Sequence, residues 1–295
     1  MRVLIIGKRS YIGSNIKCRL EKHGYFADEA DAESDEWKTV DYSAYDSVVH
    51  VAAIVHQNAK SADEMLFSRV NTELPVEVAR LAKSQGVPQF VFLSTMGVYG
   101  KDKSLKESDS IIYDSTPEKA KSGYGGSKLK AEKLLKTLET ENFNVAVVRP
   151  PNVYGPGCKG NYIPLFKKLS LISWIFPFAF SNIRQSMIYI DNLCELIRLI
   201  IEKKAGGLYL PQDDCSPSTV YLIHLIRDIF GKKTHYSKVL GAVVRLFGSL
   251  RIVKKIYGGI RYDYSVSGCF DNKYQIVSFK DGLYATYKDS DIPVK

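Results

Sequence analysis

Tyr124 and Lys128 stand four residues apart in the run YGGSK, a spacing that puts a phenol and an ammonium on one face of a helix. A cation beside a phenol favours the phenolate and draws the tyrosine pKa down from about 10, toward proton exchange with an alcohol. The pair is a candidate acid/base. The solvated start of an ordinary helix would carry the same letters, so the elements around the pair must decide.

The chain opens MRVLIIGKRSYIGSNIKCRL. This predicts a strand over Val3 to Ile6, a turn at Gly7 and a helix from about Tyr11 to His23 closed by Gly24. Strand, glycine turn and helix N-terminus form a cradle for a dinucleotide pyrophosphate, because unpaired N–H groups and the helix dipole both favour an anion. Gly7 allows the tight turn and Gly13 the close packing of helix on sheet, with Arg9, Ser10, Tyr11 and Ile12 between them. Ser10 occupies a position where glycine is expected, but serine is small and can donate to a phosphate.

Further strands are predicted at Tyr25 to Glu29, Ser47 to Ala52, Gln89 to Leu93 and Val145 to Arg149. They alternate with helical stretches near 11–23, 62–85 and 124–141. That alternation predicts an α/β chain with a Rossmann-type, doubly wound parallel sheet. Right-handed crossovers then bring Gly7, Thr95 and Asn152 to one edge of the sheet. The expected division is an NAD(P)-binding domain over 1–155 and a smaller substrate-binding region over 156–295, with 186–205 packing back on the sheet.

Five motifs in order, GKRSYIG, LSTMGVYG, YGGSK, RPPNVYGPG and RQSMIYIDNL, resemble the extended short-chain dehydrogenase/reductase family, in particular its nucleotide-sugar epimerases, dehydratases and reductases. The resemblance covers nearly the whole chain. It implies catalytic roles for Thr95, Tyr124 and Lys128: Tyr124 exchanging a proton with a sugar hydroxyl, Thr95 hydrogen-bonding the same oxygen, and Lys128 lowering the Tyr124 pKa while holding the nicotinamide ribose. It implies cofactor contacts at Asp41, near the adenine, and at Ala52 and Ala53 in the HVAA stretch. Asn152, Arg184 and Arg261 are the implied substrate contacts, with Arg251 a looser candidate; Tyr154 and Tyr189 are expected to pack. Family members that eliminate water carry an Asp-Glu pair after the catalytic Ser/Thr; Met96 and Gly97 stand there, so a 4,6-dehydratase is not expected.

The expected cofactor is NADP or NAD. Asp31 or Glu33, after the second strand, could serve a ribose 2′-OH, whereas Arg9 resembles an arginine of the NADPH-dependent GDP-fucose synthases and tilts the expectation slightly to NADP. That favours a reductase of a UDP-linked 4-keto sugar, a reading the C-terminal half also resembles. The alternatives are a UDP-hexose 4-epimerase, acting on UDP-glucose or UDP-N-acetylglucosamine, and a non-catalytic NADP sensor. The intact Tyr/Lys pair speaks against the sensor.

Composition agrees. With 295 residues, 45% of them hydrophobic, there is material for one large or two unequal domains. No apolar run reaches the roughly 18–20 residues needed to cross a bilayer, and five scattered cysteines fit free thiols in a reducing cytoplasm. Scattered histidines predict no metal site. The net charge of +9 concentrates late, in KKTHYSKVLGAVVRLFGSLRIVKKIYGGIR. That stretch reads either as an amphipathic surface for anionic lipid or, the preferred reading, as a helix whose cations attract a substrate diphosphate. Nucleic acid is not an expected partner. A peripheral membrane or glycosyltransferase contact and a homodimer remain open.

Overall fold

The computed structural model describes residues 1–55, 61–121, 123–158, 160 and 162–288. Six parallel strands form the central sheet: β1 (Arg2–Ile6), β2 (Phe26–Ala30), β3 (Ser47–His50), β4 (Gln89–Leu93), β5 (Asn144–Val148) and β6 (Gly207–Tyr209), in the order β6-β5-β4-β3-β1-β2. β3 and β4 are buried along their whole length, as is β1 from Val3 onward, which is why they read as near-continuous apolar runs. The edge strands differ: Phe26 on β2 and Leu208 on β6 face solvent.

Two apolar layers cover the sheet. On one face Ile16 and Leu20 of helix Tyr11–Lys22 pack with Leu193, Leu196 and Ile197 of helix Ile190–Glu202. On the other, Val78, Ala79 and Ala82 of helix Leu74–Ser84 pack with Ala131 and Leu135 of helix Gly123–Lys136. The segment after Met187 thus returns to the main sheet, first as the helix Ile190–Glu202 and then as β6, which pairs with β5 from Gly207 to Tyr209. No helix among the described residues is long and apolar enough to cross a membrane.

β1 has β2 on one side and β3 on the other, so the chain leaves its C-terminal end in opposite directions and opens a crevice there. The remaining chain forms short parallel pairs above that edge. Asn152–Tyr154 pairs with Met187–Tyr189, Ile111–Ile112 with Arg261–Tyr262, and Ile175–Pro177 with His235–Ser237. A buried polar knot anchors them: the Asp213 carboxylate accepts from the Tyr154 hydroxyl at 2.7 Å, from Asn192 Nδ2 at 2.8 Å and from the Tyr189 N–H at 3.0 Å. Tyr154 and Tyr189 are packing residues here, their rings 5.5 Å apart.

Candidate active site at the C-terminal edge of the sheet

The glycine loop closes on the end of β1. Gly7 has φ +129°, and a Cβ there would lie 2.8 Å from Val51 Cγ2 and 3.0 Å from the Ala52 N. Only glycine lets the loop lie this close to the end of β3. The N–H groups of Val51 and Ala52 both donate to Ile6 O, which sets Ala52 and Ala53 beside the loop. Ser10 caps helix Tyr11–Lys22, its Oγ accepting from the Gly13 N–H at 3.1 Å. Gly13 is as tightly placed, a Cβ there falling 2.6 Å from Ser10 Oγ. Tyr11 reaches across to Gly155, its hydroxyl buried without a hydrogen-bond partner.

This edge fits a dinucleotide. Gly7, Ser10, Tyr11, Ile12, Gly13, Ala52 and Ala53 are brought together, with the loop packed against the end of β3 as only glycine at 7 and 13 allows. Arg9 also has positive φ, 63°, and its guanidinium lies 3.7 Å from Asp31 just past the end of β2. Glu29 accepts from the Arg9 N–H at 3.4 Å. Asp41 is not brought to this edge. Its carboxylate caps the turn Tyr42–Ala44, accepting from the N–H and hydroxyl of Ser43, and it acts electrostatically on Arg2 and Tyr45, at the end of β1 opposite Gly7.

Thr95 follows β4. Its extended backbone starts the turn Met96–Tyr99, its Oγ1 accepting from the Gly97 N–H at 3.1 Å, and its side chain lies close enough to the Tyr124 phenol to act on its pKa. The helix carrying Tyr124 comes this close because Gly125 has no side chain: a Cβ there would lie 2.5 Å from the Gly97 carbonyl oxygen. The glycines of YGGSK are thus docking residues, a requirement invisible in their spacing.

Lys128, one helical turn on, is fully buried; its Nζ donates to Leu93 O at 2.8 Å and lies 4.4 Å from the Phe92 ring centre. Burial pulls this amine down to about 7, against an opposing pull from Glu132. Burial pushes the Tyr124 phenol up to about 12, opposed by the nearby Thr95 side chain. The sequence reading had Lys128 lowering the phenol. Here the amine is directed at the strand backbone and desolvation outweighs any such effect.

Two supporting networks could not be found from spacing. Asn71, fully buried, bonds Ile54 N and O at 3.0 Å each and Ser127 Oγ at 3.2 Å, joining the loop after β3 to the Tyr124 helix. Behind Lys128, Glu132 accepts from Arg149 Nε at 3.0 Å and from the Ser94 hydroxyl, and Arg149 also meets Tyr99 and Glu118.

A cavity of about 210 Å³ opens beside Thr95, lined by Met96, Lys101, Lys103, Asn152 and Gln185 among others. Lys103 is the surprise. Its Nζ is 3.4 Å from Gln185 Oε1 and from Lys255 O, and burial together with the nearby Lys255 charge lowers it to about 8. Arg184 and Arg261 do not line this cavity. Arg184 is exposed one residue before Gln185, and Arg261 is half-buried on its short strand, Nη1 3.4 Å from Tyr262 O. Arg251 is exposed on helix Arg251–Tyr257. A larger cavity, about 280 Å³, lies between helix Gly123–Lys136 and β6, but Glu132 and Arg149 in its wall are already paired with each other. The smaller one is the candidate substrate site.

Comparison with known proteins agrees with this geometry. A sequence profile of the NAD dependent epimerase/dehydratase family matches residues 3–209. The chain is 33% identical over 230 residues to a UDP-glucose 4-epimerase of Vibrio cholerae, covering 74% of this chain and 68% of that protein. It is 25% identical over 223 residues to the N-acetyl-α-D-glucosaminyl-diphospho-ditrans,octacis-undecaprenol 4-epimerase of Escherichia coli O157:H7, covering 70% of this chain and 64% of the relative. The structure of RMD from Pseudomonas aeruginosa complexed with NADPH superposes with a TM-score of 0.73 at 18% identity, covering 98% of this chain and 99% of that one, a likeness of fold. With its profile spanning more than two thirds of the sequence, the chain belongs to the NAD dependent epimerase/dehydratase family.

Proposed function

We propose that this protein is an NAD-dependent 4-epimerase of a diphosphate-linked hexose. The observation that carries the reading is the approach of Tyr124 to Thr95, which lines the 210 Å³ cavity, one helical turn from the buried Lys128. Both relatives act at the 4-position of a sugar, one carried on UDP and the other on a polyprenol diphosphate. The diphosphate is their common element.

Gly7 to Gly13, with Ala52 and Ala53, would hold the dinucleotide. When bound, the nicotinamide supplies hydride exchange at the sugar carbon, while the protein supplies position and proton transfer. Tyr124, raised to about 12, carries its proton at neutral pH and is the acid for the sugar oxygen, with Thr95 fixing that oxygen by a second hydrogen bond. Lys128, poised near 7, can take the proton that the phenol gives up, so that in the oxidising half the phenolate accepts the sugar hydroxyl proton and in the reducing half both protons return. On the substrate side, Asn152 and Lys103 face the cavity and can meet the sugar and its diphosphate.

NAD is preferred over NADP because the end of β2 is acidic. Asp31 is only 24% exposed, against 82% for Arg9, so the carboxylate is the better fixed of the two, and Glu29 stands behind it. A ribose 2′-OH can donate to Asp31, whereas a 2′-phosphate would face two carboxylates. The mobile reach of Arg9 is what favours a second reading, an NADPH-dependent 4-keto-sugar reductase.

Incubation of the purified protein with UDP-glucose, UDP-N-acetylglucosamine and a UDP-4-keto sugar separates these readings. Isomer exchange without net loss of reduced cofactor is the expected result. Stoichiometric NADPH consumption supports the reductase, and neither outcome overturns both.

A further inference from the structure

Helix Lys238–Leu246 buries only one residue, Gly241. A Cβ at that position would fall 2.2 Å from the Phe178 carbonyl oxygen, so the helix rests its backbone on the neighbouring segment and turns its side chains outward. Many of those side chains are aliphatic: Val239 is 75% exposed and Leu246 82%, with Phe247, Leu250 and Ile252 exposed beyond them. Pairing of Ile175–Pro177 with His235–Ser237 brings Trp174, 67% exposed, to the same face, its ring against His235.

Charge along these stretches of chain has one sign, with Glu107 of a neighbouring segment reaching Asn182 at their border. Between Asp228 and Asp263 there is no Asp or Glu, and there are Lys232, Lys233, Lys238, Arg245, Arg251, Lys254, Lys255 and Arg261. The stretch 142–190, which contains Trp174, is equally free of acids. All of those cations except Arg261 are exposed. Had the cations served a substrate diphosphate alone, the apolar positions between them would have been expected to turn inward; Val253 and Tyr257 do, whereas Val239, Val243, Leu246, Leu250 and Ile252 stay exposed.

Exposed apolar side chains interleaved with cations match a surface that is apolar at depth and anionic at its boundary. A second copy of the chain meeting this patch with its own would set two cation-rich stretches together. We propose that this face docks on an anionic lipid bilayer, with Trp174, Leu246 and Ile252 entering the headgroup boundary. The candidate site is close by, because Lys103 in its wall bonds the backbone of Lys255 on the same face. The proposal does not depend on which sugar is used.

Flotation of the purified full chain with vesicles tests it. Binding is expected to phosphatidylcholine vesicles containing phosphatidylglycerol and not to phosphatidylcholine alone, and it should weaken with salt. The exposed-residue variants Leu246→Glu/Ile252→Glu and Lys238→Glu/Lys254→Glu should each lower binding at least about tenfold. Thermal melting and turnover of a soluble UDP-sugar should stay at parent values. Parent protein that ignores the mixed vesicles, or variants that bind them like the parent, would overturn the proposal. So would a concentration-dependent dimer, lost in Leu246→Glu/Ile252→Glu, with no vesicle binding, since that assigns the face to a second copy.

Discussion

Lys128 Nζ donates to the Leu93 carbonyl oxygen at 2.8 Å from a side chain with no exposed surface, tying the proton-transfer helix to the strand that delivers Thr95. The folded chain holds this amine at about 7, whereas the unfolded chain binds its proton up to about 10.5. Above about pH 7 the unfolded state therefore binds more protons, and stability gains from Lys128 as pH rises toward 10.5. Lys128→Met should abolish turnover, raise the Tm at pH 7 by about 2–4 °C or more, and remove that slope below the tyrosine range. Melting curves from about pH 7 to about 9.5 in parent and variant decide it; an unchanged slope refutes the assignment.

Tyr124→Phe keeps the ring and removes the hydroxyl beside Thr95. Turnover should fall by about 10²–10⁴, while dinucleotide binding, followed by fluorescence, stays at the parent level. Near-normal turnover would remove the phenol from the mechanism.

Arg149 and Glu132 form a buried pair, Nε to Oε1 at 3.0 Å, with the two side chains only 4% and 7% exposed. Arg149→Met leaves Glu132 buried with its charge uncompensated and should cost about 3–5 kcal/mol in urea unfolding. The double variant Arg149→Met/Glu132→Met should recover much of that loss. A double variant no more stable than the single one would show that the pair does not account for the effect.

Lys103, lowered to about 8, should hold a substrate oxyanion best below that pH. KM is expected to climb as pH rises past about 8 in the parent and to stay flat across that range in Lys103→Arg. Lys103→Met should raise KM about tenfold with little change in kcat. A change confined to kcat contradicts this placement.

Asp31 and Arg9 are expected to act in opposite senses on cofactor choice. Asp31→Ala should weaken NAD relative to NADP by about tenfold, and Arg9→Ala should weaken only NADP. Dissociation constants for both cofactors in both variants provide the check.

The buried strands were legible because β1, β3 and β4 are covered on both faces, so their letters are apolar without interruption. β6 was not: it has three residues, none buried, and only its pairing with β5 defines it. At the site, Thr95, Tyr124 and Lys128 could be named in advance since they lie within or beside recognisable runs. Lys103 and Gln185 could not, being 82 residues apart and joined only when the chain folds back over the sheet. Asp41 shows the converse, a fitting residue type whose carboxylate closes a local turn instead. The basic stretch after Lys232 gave its charge in the sequence but not its aspect, because one glycine, Gly241, decides which way helix Lys238–Leu246 faces.

Asn71 sits in the wide turn Ser68–Glu73 and reaches both the loop after β3 and Ser127, while Thr72 beside it bonds the Ser127 carbonyl at 2.8 Å. The placement of the candidate phenol is thus tied to a crossover segment whose residues do not line the candidate substrate cavity. Any chimera that exchanges the helix Gly123–Lys136 between relatives must bring residues 68–73 along as its matching half, or the graft arrives without its alignment peg.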